Sequence, residues 1–264
     1  MDIFAQLTAE ISRVVLGKDE QVRQALCCLL ARGHLLIEDV PGVGKTTLSQ
    51  AFAKVTGLSY QRMQFTSDLL PSDILGVSIF DRNSNAFHFH AGPVFTQFLL
   101  VDEINRASPK TQSALLEAMA EKQVTVEGET RILPTPFFVM ATQNPWFQSG
   151  TFPLPESQLD RFLMHISLGY PDEQSERRLL AGGDPRLVID ELRPLLNAEK
   201  IIALQAMVDK IEIRDSVLSY VQRLIAFTRQ DSHYAFGLST RAALALIQAA
   251  KAWAMLDGRE YVLP

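Results

Sequence analysis

Residues 40–47 read VPGVGKTT, two glycines, a lysine and a hydroxyl in the order a phosphate-binding loop requires. Such a loop works because consecutive backbone N–H groups at a helix N-terminus converge on phosphate oxygens, aided by the positive end of the helix dipole. Gly42 and Gly44 supply the close approach and the unusual dihedrals. Lys45 is placed to contact the β and γ phosphates and the Thr46 hydroxyl to ligand Mg²⁺. The candidate cradle is therefore Pro41, Gly42, Val43, Gly44, Lys45, Thr46 and Thr47. The pattern G-x-x-x-x-G-K-[ST] has glycine where this chain has Asp39. Asp39 lies at the end of an apolar run, ahead of Pro41, so its side chain is expected to point away while the two glycines form the cradle. A plain Gly-Pro turn between a strand and a helix is the competing account, and it leaves Lys45-Thr46 unexplained.

A second stretch, FLLVDE at 98–103, ends an apolar run on two carboxylates. A Mg²⁺ ion held by Thr46 needs a carboxylate nearby; Asp102 suits that role, acting through a water, and Glu103 suits the base that polarises an attacking water. A solvated acidic strand end accounts for Asp102-Glu103 alone. Together with Lys45-Thr46 at the tip of a parallel sheet, the nucleotide site is the stronger account.

The elements that must position these groups are legible as alternating patterns. Apolar runs at 34–39, 60–65, 98–103, 137–142 and 162–168 are five strand candidates, separated by helical patterns, as in a parallel sheet wrapped by helices. Ser108 as N-cap and Pro109 at the first helical position start a helix over 108–119. Two insertions interrupt the rhythm: 67–95, with a hairpin expected about DRNSN, and 122–134, with a hairpin about Glu127-Gly128. After Pro171 strand signals fade, and spacings of three and four link Ile213, Val217, Val221, Leu224 and Phe227, then Leu246, Ala250 and Trp253. The expected fold is a five-stranded parallel α/β P-loop NTPase core over 1–171 followed by a small all-helical domain over 172–264.

Composition narrows the classes. The chain has 264 residues, 47% hydrophobic, enough for one large core with a small second domain, and no apolar run reaches the ~20 residues of a membrane span. The amphipathic, acidic start lacks the features of a signal peptide, so a soluble, cytoplasmic protein without membrane insertion is expected. Adjacent Cys27 and Cys28 read as buried thiols in a reducing compartment. A net charge of −5 gives no general attraction to nucleic acid. His88 and His90 of FHFH share a strand face without a third ligand nearby, so a half-exposed hairpin is the simpler reading.

In their order and spacing, VPGVGKTT, LLVDEINRASPKTQSALLEAM, ATQNP and LPESQLDRF resemble the MoxR branch of the AAA+ ATPases, relatives of magnesium-chelatase motor subunits. The resemblance covers nearly the whole chain, and a phosphate loop beginning E-D is usual in that family. It implies an AAA+ core with a helical lid, ATP and Mg²⁺ as cofactors, and hydrolysis as the activity. It implies sensor 1 at Asn144, against a turn Asn before Pro145, and sensor 2 at Arg241, against a solvated first-turn arginine. It implies an arginine finger at Arg161, against a local pair with Asp160, with Arg106 as a rival for that role. Val15, Leu16 and Gly17 match the segment near adenine; by composition they are a helix end.

A finger supplied in trans can contribute ~10³–10⁵ in rate, so a monomer is expected to hydrolyse poorly. The resemblance implies a homo-oligomeric ring, most often a hexamer. The two insertions look like the helix-2 insert and pre-sensor-1 hairpin shared with helicases, which raises a DNA-translocating motor as a rival; the acidic tip Glu127-Gly128-Glu129 would repel phosphate. Phe147 is a candidate pore aromatic, against the simpler account of a loop residue packed on Trp146. The leading reading is an ATP-driven chaperone that remodels or assembles a protein client, by resemblance often one with a von Willebrand factor A domain. A slow, nucleotide-gated assembly scaffold is the third class.

Overall fold

The computed structural model describes residues 3–144, 150–181, 185–231, 233–234 and 236–264. In chain order the elements are α1 (Ile3–Ser12), α2 (Asp19–Leu30), β1 (Leu35–Glu38), α3 (Lys45–Thr56), β2 (Tyr60–Gln64), α4 (Pro71–Leu75), β3 (Gly76–Asp81), β4 (Ala86–Ala91), β5 (Phe98–Asp102) and α5 (Pro109–Glu121). There follow β6 (Gln123–Val126), β7 (Glu129–Ile132), β8 (Phe138–Gln143), α6 (Glu156–Leu159), β9 (Met164–Ile166), α7 (Glu173–Leu180), α8 (Pro185–Glu191), α9 (Ala198–Asp209), α10 (Asp215–Gln230) and α11 (Thr240–Leu256).

The five expected strands form one parallel sheet in the order β2-β5-β8-β1-β9. Its central strands are apolar on both faces because both faces are covered. Leu35, Ile37, Phe98, Leu100, Phe138 and Met140 point to one side, where they join α1, α2 and α3; Leu36, Leu99, Val101, Val139 and Ala141 point to the other, where α5 brings Leu115, Leu116 and Met119. Phe52 of α3 sits against Phe98 and Phe138, with ring centroids 5.7 Å from each. β2 departs from the pattern. As an edge strand it keeps Gln61, Arg62 and Gln64 exposed, and the last two reach the site described below. The run at 162–168 forms a strand only over Met164–Ile166.

Both hairpins form, as β3–β4 and β6–β7. The first is preceded by the short α4, a turn of helix that the alternating pattern did not announce. The second turns on Glu127 and Gly128 at φ 54° and 82°, the positive pair that suits the twist of a two-residue hairpin. Arg131 of β7 lies 3.8 Å over the Phe89 ring of β4, joining the two insertions. His88 donates to or accepts from Ser84 at 2.7 Å. Phe147 and Trp146 lie outside the described residues.

Beyond 171 the chain is helical, and the apolar cluster of the first sheet face runs on through α2 to Ile201, Val208, Val217, Ala252 and Met255. Gln205 donates to the Leu29 carbonyl at 2.8 Å, and the Cys27 thiol to that of Ala249 at 3.3 Å. Both cysteines are buried and free, and burial, opposed by Arg23, pushes the Cys27 thiol up to about 12. Within α10 the buried stripe is Val217, Val221 and Ile225, while Leu224 and Phe227 face outward. The expected helix forms, and the i, i+4 spacing through Ile225 carries its packing. Among the described residues no helix is long and apolar enough to cross a membrane.

Candidate active site

The loop between β1 and α3 does what its glycines allow. Gly42 and Gly44 lie at φ 88° and 95°, a Cβ at either would meet nothing within 4 Å, and Gly44 is the N-cap residue of α3. The first turn of α3 therefore opens its N–H groups at the carboxyl end of the sheet, which is where parallel α/β sheets bind ligands. Lys45 folds back over its own loop, its ammonium donating to the carbonyls of Asp39 and Val40, the latter at 3.2 Å. Burial lowers its pKa, against the opposing pull of Asp39, Asp102 and Glu103. The same ammonium is 3.4 Å from Oδ1 of Asn144, just beyond β8.

Asp102 closes β5 and is buried; Oδ1 accepts from the Thr142 hydroxyl at 3.3 Å and Oδ2 pairs with Nε of Arg62 at 2.8 Å. Glu103 follows in the left-handed region at φ 57°, uncommon for a side chain with a Cβ, with its amide donating to Thr142 at 3.1 Å. Its Oε2 accepts from Gln64 and from Arg106, each at 2.9 Å. Arg62 and Gln64, two apart on edge strand β2, thus each hold one of the two carboxylates. Sequence reading missed them, although polar residues at i and i+2 in a parallel strand were a usable signal.

Val15 and Leu16 lie in the turn between α1 and α2 and line a cavity shared with Gly42, Val43, Gly44, Thr47, Pro171 and Leu179. Gly17 is needed for a different reason: a Cβ there would come within 2.6 Å of Asp172 Oδ2 and 2.7 Å of Ser175 Oγ, at the start of α7. Thr46 opens on a separate cavity that Arg62 also lines.

The two outer arginines are occupied. Arg161 donates to the Leu116 carbonyl of α5 at 2.7 Å, and its neighbour Asp160 turns to the lid side, accepting from Ser239 at 2.9 and 3.1 Å and lying 3.7 Å from Arg241. The local Arg161–Asp160 pair is thereby replaced by contacts to other elements. Arg241 sits in the first turn of α11 against Asp160. The core of the arrangement, a loop of open N–H groups with Lys45, two carboxylates and Asn144 converging on it, suits binding a phosphate chain and directing water at it.

Comparison with known proteins agrees. Residues 34–164 match the ATPase family associated with various cellular activities (AAA), and residues 226–264 the AAA lid domain. The chain is 47% identical to the uncharacterized protein YeaC of Bacillus subtilis, over 99% of this chain and 82% of that one. It is 42% identical to Chaperone MoxR1 of Mycobacterium tuberculosis, over 97% and 70%. A crystal structure of a candidate ATPase from Cytophaga hutchinsonii superposes with a TM-score of 0.88 at 39% identity, covering 99% of this chain and 82% of that one. With the AAA family matched across its parallel sheet and glycine loop, and 42% identity to a MoxR chaperone over nearly its whole length, the chain belongs to the MoxR branch of the AAA+ ATPases.

Proposed function

We propose that this protein hydrolyses ATP in a Mg²⁺-dependent reaction, as a ring of like subunits, and uses the cycle to remodel or assemble partner proteins. The observation that carries the reading is the convergence of Lys45, Asp102, Glu103 and Asn144 on the open loop at the carboxyl edge of the sheet. Residues 1–171 serve as the nucleotide-binding core and 172–264 as the lid. Residues 41–47 cradle the phosphates, with Lys45 leaving its loop carbonyls for the β and γ phosphates. The adenine side falls to the turn at Val15, Leu16 and Gly17.

The residues fit a Mg²⁺ ion. Thr46 and the buried Asp102 offer hard oxygen donors, and Arg62, which pairs with Asp102, lines the same cavity as Thr46, so an ion there would compete with that guanidinium for Asp102. Held by Thr46 and, through a water, Asp102, a Mg²⁺ ion would supply charge neutralisation at the phosphates. Glu103, oriented by Gln64 and Arg106, takes the proton side of the attacking water, and Asn144 positions that water. Arg241 reaches the nucleotide from the lid, and Arg161 is offered to the neighbouring subunit, with Arg106 as the alternative for that role.

For the client, the acidic tip at Glu127 and Glu129 is exposed and unsuited to a phosphate backbone, which favours a protein over DNA. The name of the mycobacterial relative, a chaperone, points the same way. Partners with a von Willebrand factor A domain are the class to try first, and the cytoplasm is the compartment. Steady-state ATPase activity against protein concentration tests the ring. Specific activity that rises with concentration, and that Arg161→Ala reduces to the level of Lys45→Ala, supports it. Activity independent of concentration and of Arg161 turns the reading toward Arg106 or toward a slow scaffold.

A further inference from the structure

Asp39 stands where the phosphate-loop pattern has glycine, and its side chain takes no part in the cradle. It is 7% exposed and fully engaged. Oδ1 accepts from the Val40 amide at 2.8 Å; Oδ2 accepts from the Gly169 amide at 2.6 Å and the Ser167 hydroxyl at 3.0 Å. Burial pushes this carboxyl up, but the amides of Gly169 and Val40 and the Ser167 hydroxyl outweigh it and hold the pKa below its ordinary value.

The partners are remote in sequence and well placed in the fold. Ser167 to Gly169 form the passage from β9, the last strand of the sheet, to α7, the first helix beyond it, and Gly169 makes the turn at φ 65°. Two residues further, Pro171 lines the cavity shared with Val15, Leu16 and Gly44. On its other side, the backbone carbonyl of Asp39 holds the ammonium of Lys45. One residue therefore grips the phosphate-loop lysine through its carbonyl and the core-to-lid passage through its carboxylate.

We propose that Asp39 is a positioning residue that couples nucleotide occupancy of the loop to the geometry of the β9–α7 passage and so to the lid. The inference rests on the nucleotide site proposed above. Lys45 must leave the carbonyls of Asp39 and Val40 to meet phosphate, and the Val40 peptide is itself bonded to the Asp39 carboxylate. A change in that peptide is therefore passed to Oδ2 and its two donors in the passage. A glycine at 39 makes the turn equally well but leaves the Gly169 amide without this acceptor, so the two segments move independently.

The test uses the full chain and its Asp39→Gly and Ser167→Ala variants, with mant-ADP binding, hydrogen–deuterium exchange with and without ADP, and steady-state kinetics. Asp39→Gly is expected to bind mant-ADP within about threefold of the wild type and to keep ADP protection of peptides over 37–48. The ADP-dependent change over 163–181 is expected to be lost, with kcat down about tenfold and KM little changed, the scale seen for residues lying between coupled sites. Ser167→Ala, which removes an exposed hydroxyl, is expected to weaken the same response without altering binding. A wild-type response over 163–181 in Asp39→Gly overturns the proposal, as does a wild type that shows no such response. Should Asp39→Gly fail to fold, an unchanged response in Ser167→Ala overturns it. A wild type that binds no mant-ADP defeats the nucleotide site itself, and the coupling with it.

Discussion

The carboxyl edge of the sheet and the helices beyond residue 171 are held together in different ways. At the sheet edge, Lys45, Arg62, Gln64, Asp102, Glu103, Arg106 and Thr142 are bonded to one another or to loop carbonyls, so the groups are held in place before any ligand arrives. In the helices the polar contacts are mostly surface pairs such as Arg32–Asp209 and Arg241–Asp160, while Phe227, Phe236 and Leu244 stand exposed. A pre-assembled edge suits chemistry, which is impaired by small misplacements; the helices are instead joined to the core mainly by the apolar cluster through Ile201, Val208, Val217, Ala252 and Met255, with few polar ties near the site.

The largest expected effect lies at the edge. Glu103→Gln keeps the size of the side chain and an oxygen for Gln64 and Arg106 but removes the carboxylate proposed as the base, so ATP hydrolysis should fall ~10²–10⁴-fold. Nucleotide binding should be retained, measured by titration with mant-ADP. An active Glu103→Gln enzyme would assign the base elsewhere and weaken the idea that this edge is built for hydrolysis.

Packing offers the next contrast. Phe52 is fully buried against Phe98 and Phe138, whereas Phe227 is 54% exposed and touches Tyr234 with ring centroids 6.1 Å apart. Phe52→Ala should cost about 3–5 kcal/mol in urea unfolding, through lost transfer energy and a cavity. Phe227→Ala should cost under about 1 kcal/mol. Comparable losses would mean that the outer face of α10 is not free surface.

Much of this was legible in sequence for identifiable reasons. The sheet was readable because its buried strands are continuous apolar runs, and the loop because Gly-x-Gly-Lys-Thr has few other uses. Asp102 and Glu103 were readable because two carboxylates ending an apolar strand are conspicuous. What was hidden depends on register or on remote contacts. The roles of Arg62 and Gln64 follow from β2 pairing with β5 so that Gln64 stands opposite Asp102, which no local pattern specifies. Asp160 engages Ser239, 79 residues away, and that distance is why the competing account of Arg161, a local pair with Asp160, could not be ruled on from sequence. The spacings identified α10 as a helix but not which of its apolar residues are buried, because Leu224 and Phe227 are also at helical spacings and only the packing partner selects among them.

The opposite end of β1 extends the comparison to pH. His34 is buried, its Nδ1 accepting from the Val139 amide at 3.0 Å and its Nε2–H donating to the Met119 carbonyl at 3.2 Å. A second proton on Nδ1 would face the Val139 N–H. Burial lowers the pKa to about 4 from 6.5, with the Met119 bond opposing. Between those values the unfolded chain binds the proton and the folded one does not, so stability falls as pH drops from 6.5 toward 4, by up to ~3 kcal/mol. In His34→Gln this part of the slope should vanish, read as the difference from wild type in urea unfolding at pH 7 and pH 5. An identical slope would mean that carboxylates alone set acid stability.

The smallest effect on stability should come from the contact that ties the lid to the core edge. Arg241 is 59% exposed at its side chain and lies 3.7 Å from Asp160, a pair worth at most about 1 kcal/mol in water. That weakness is useful if Arg241 serves the nucleotide, because a polyphosphate carries more charge than Asp160 and can take the guanidinium at little cost. Arg241→Ala should therefore leave urea unfolding within about 0.5 kcal/mol of wild type. Hydrolysis should drop about tenfold, roughly 1.4 kcal/mol on the barrier. Asp160→Ala should be similarly mild in stability and should not slow hydrolysis, since it only frees Arg241 sooner. If Arg241→Ala hydrolyses normally, Arg241 belongs with the surface pairs of the helical part, and the sheet edge completes the nucleotide site without it.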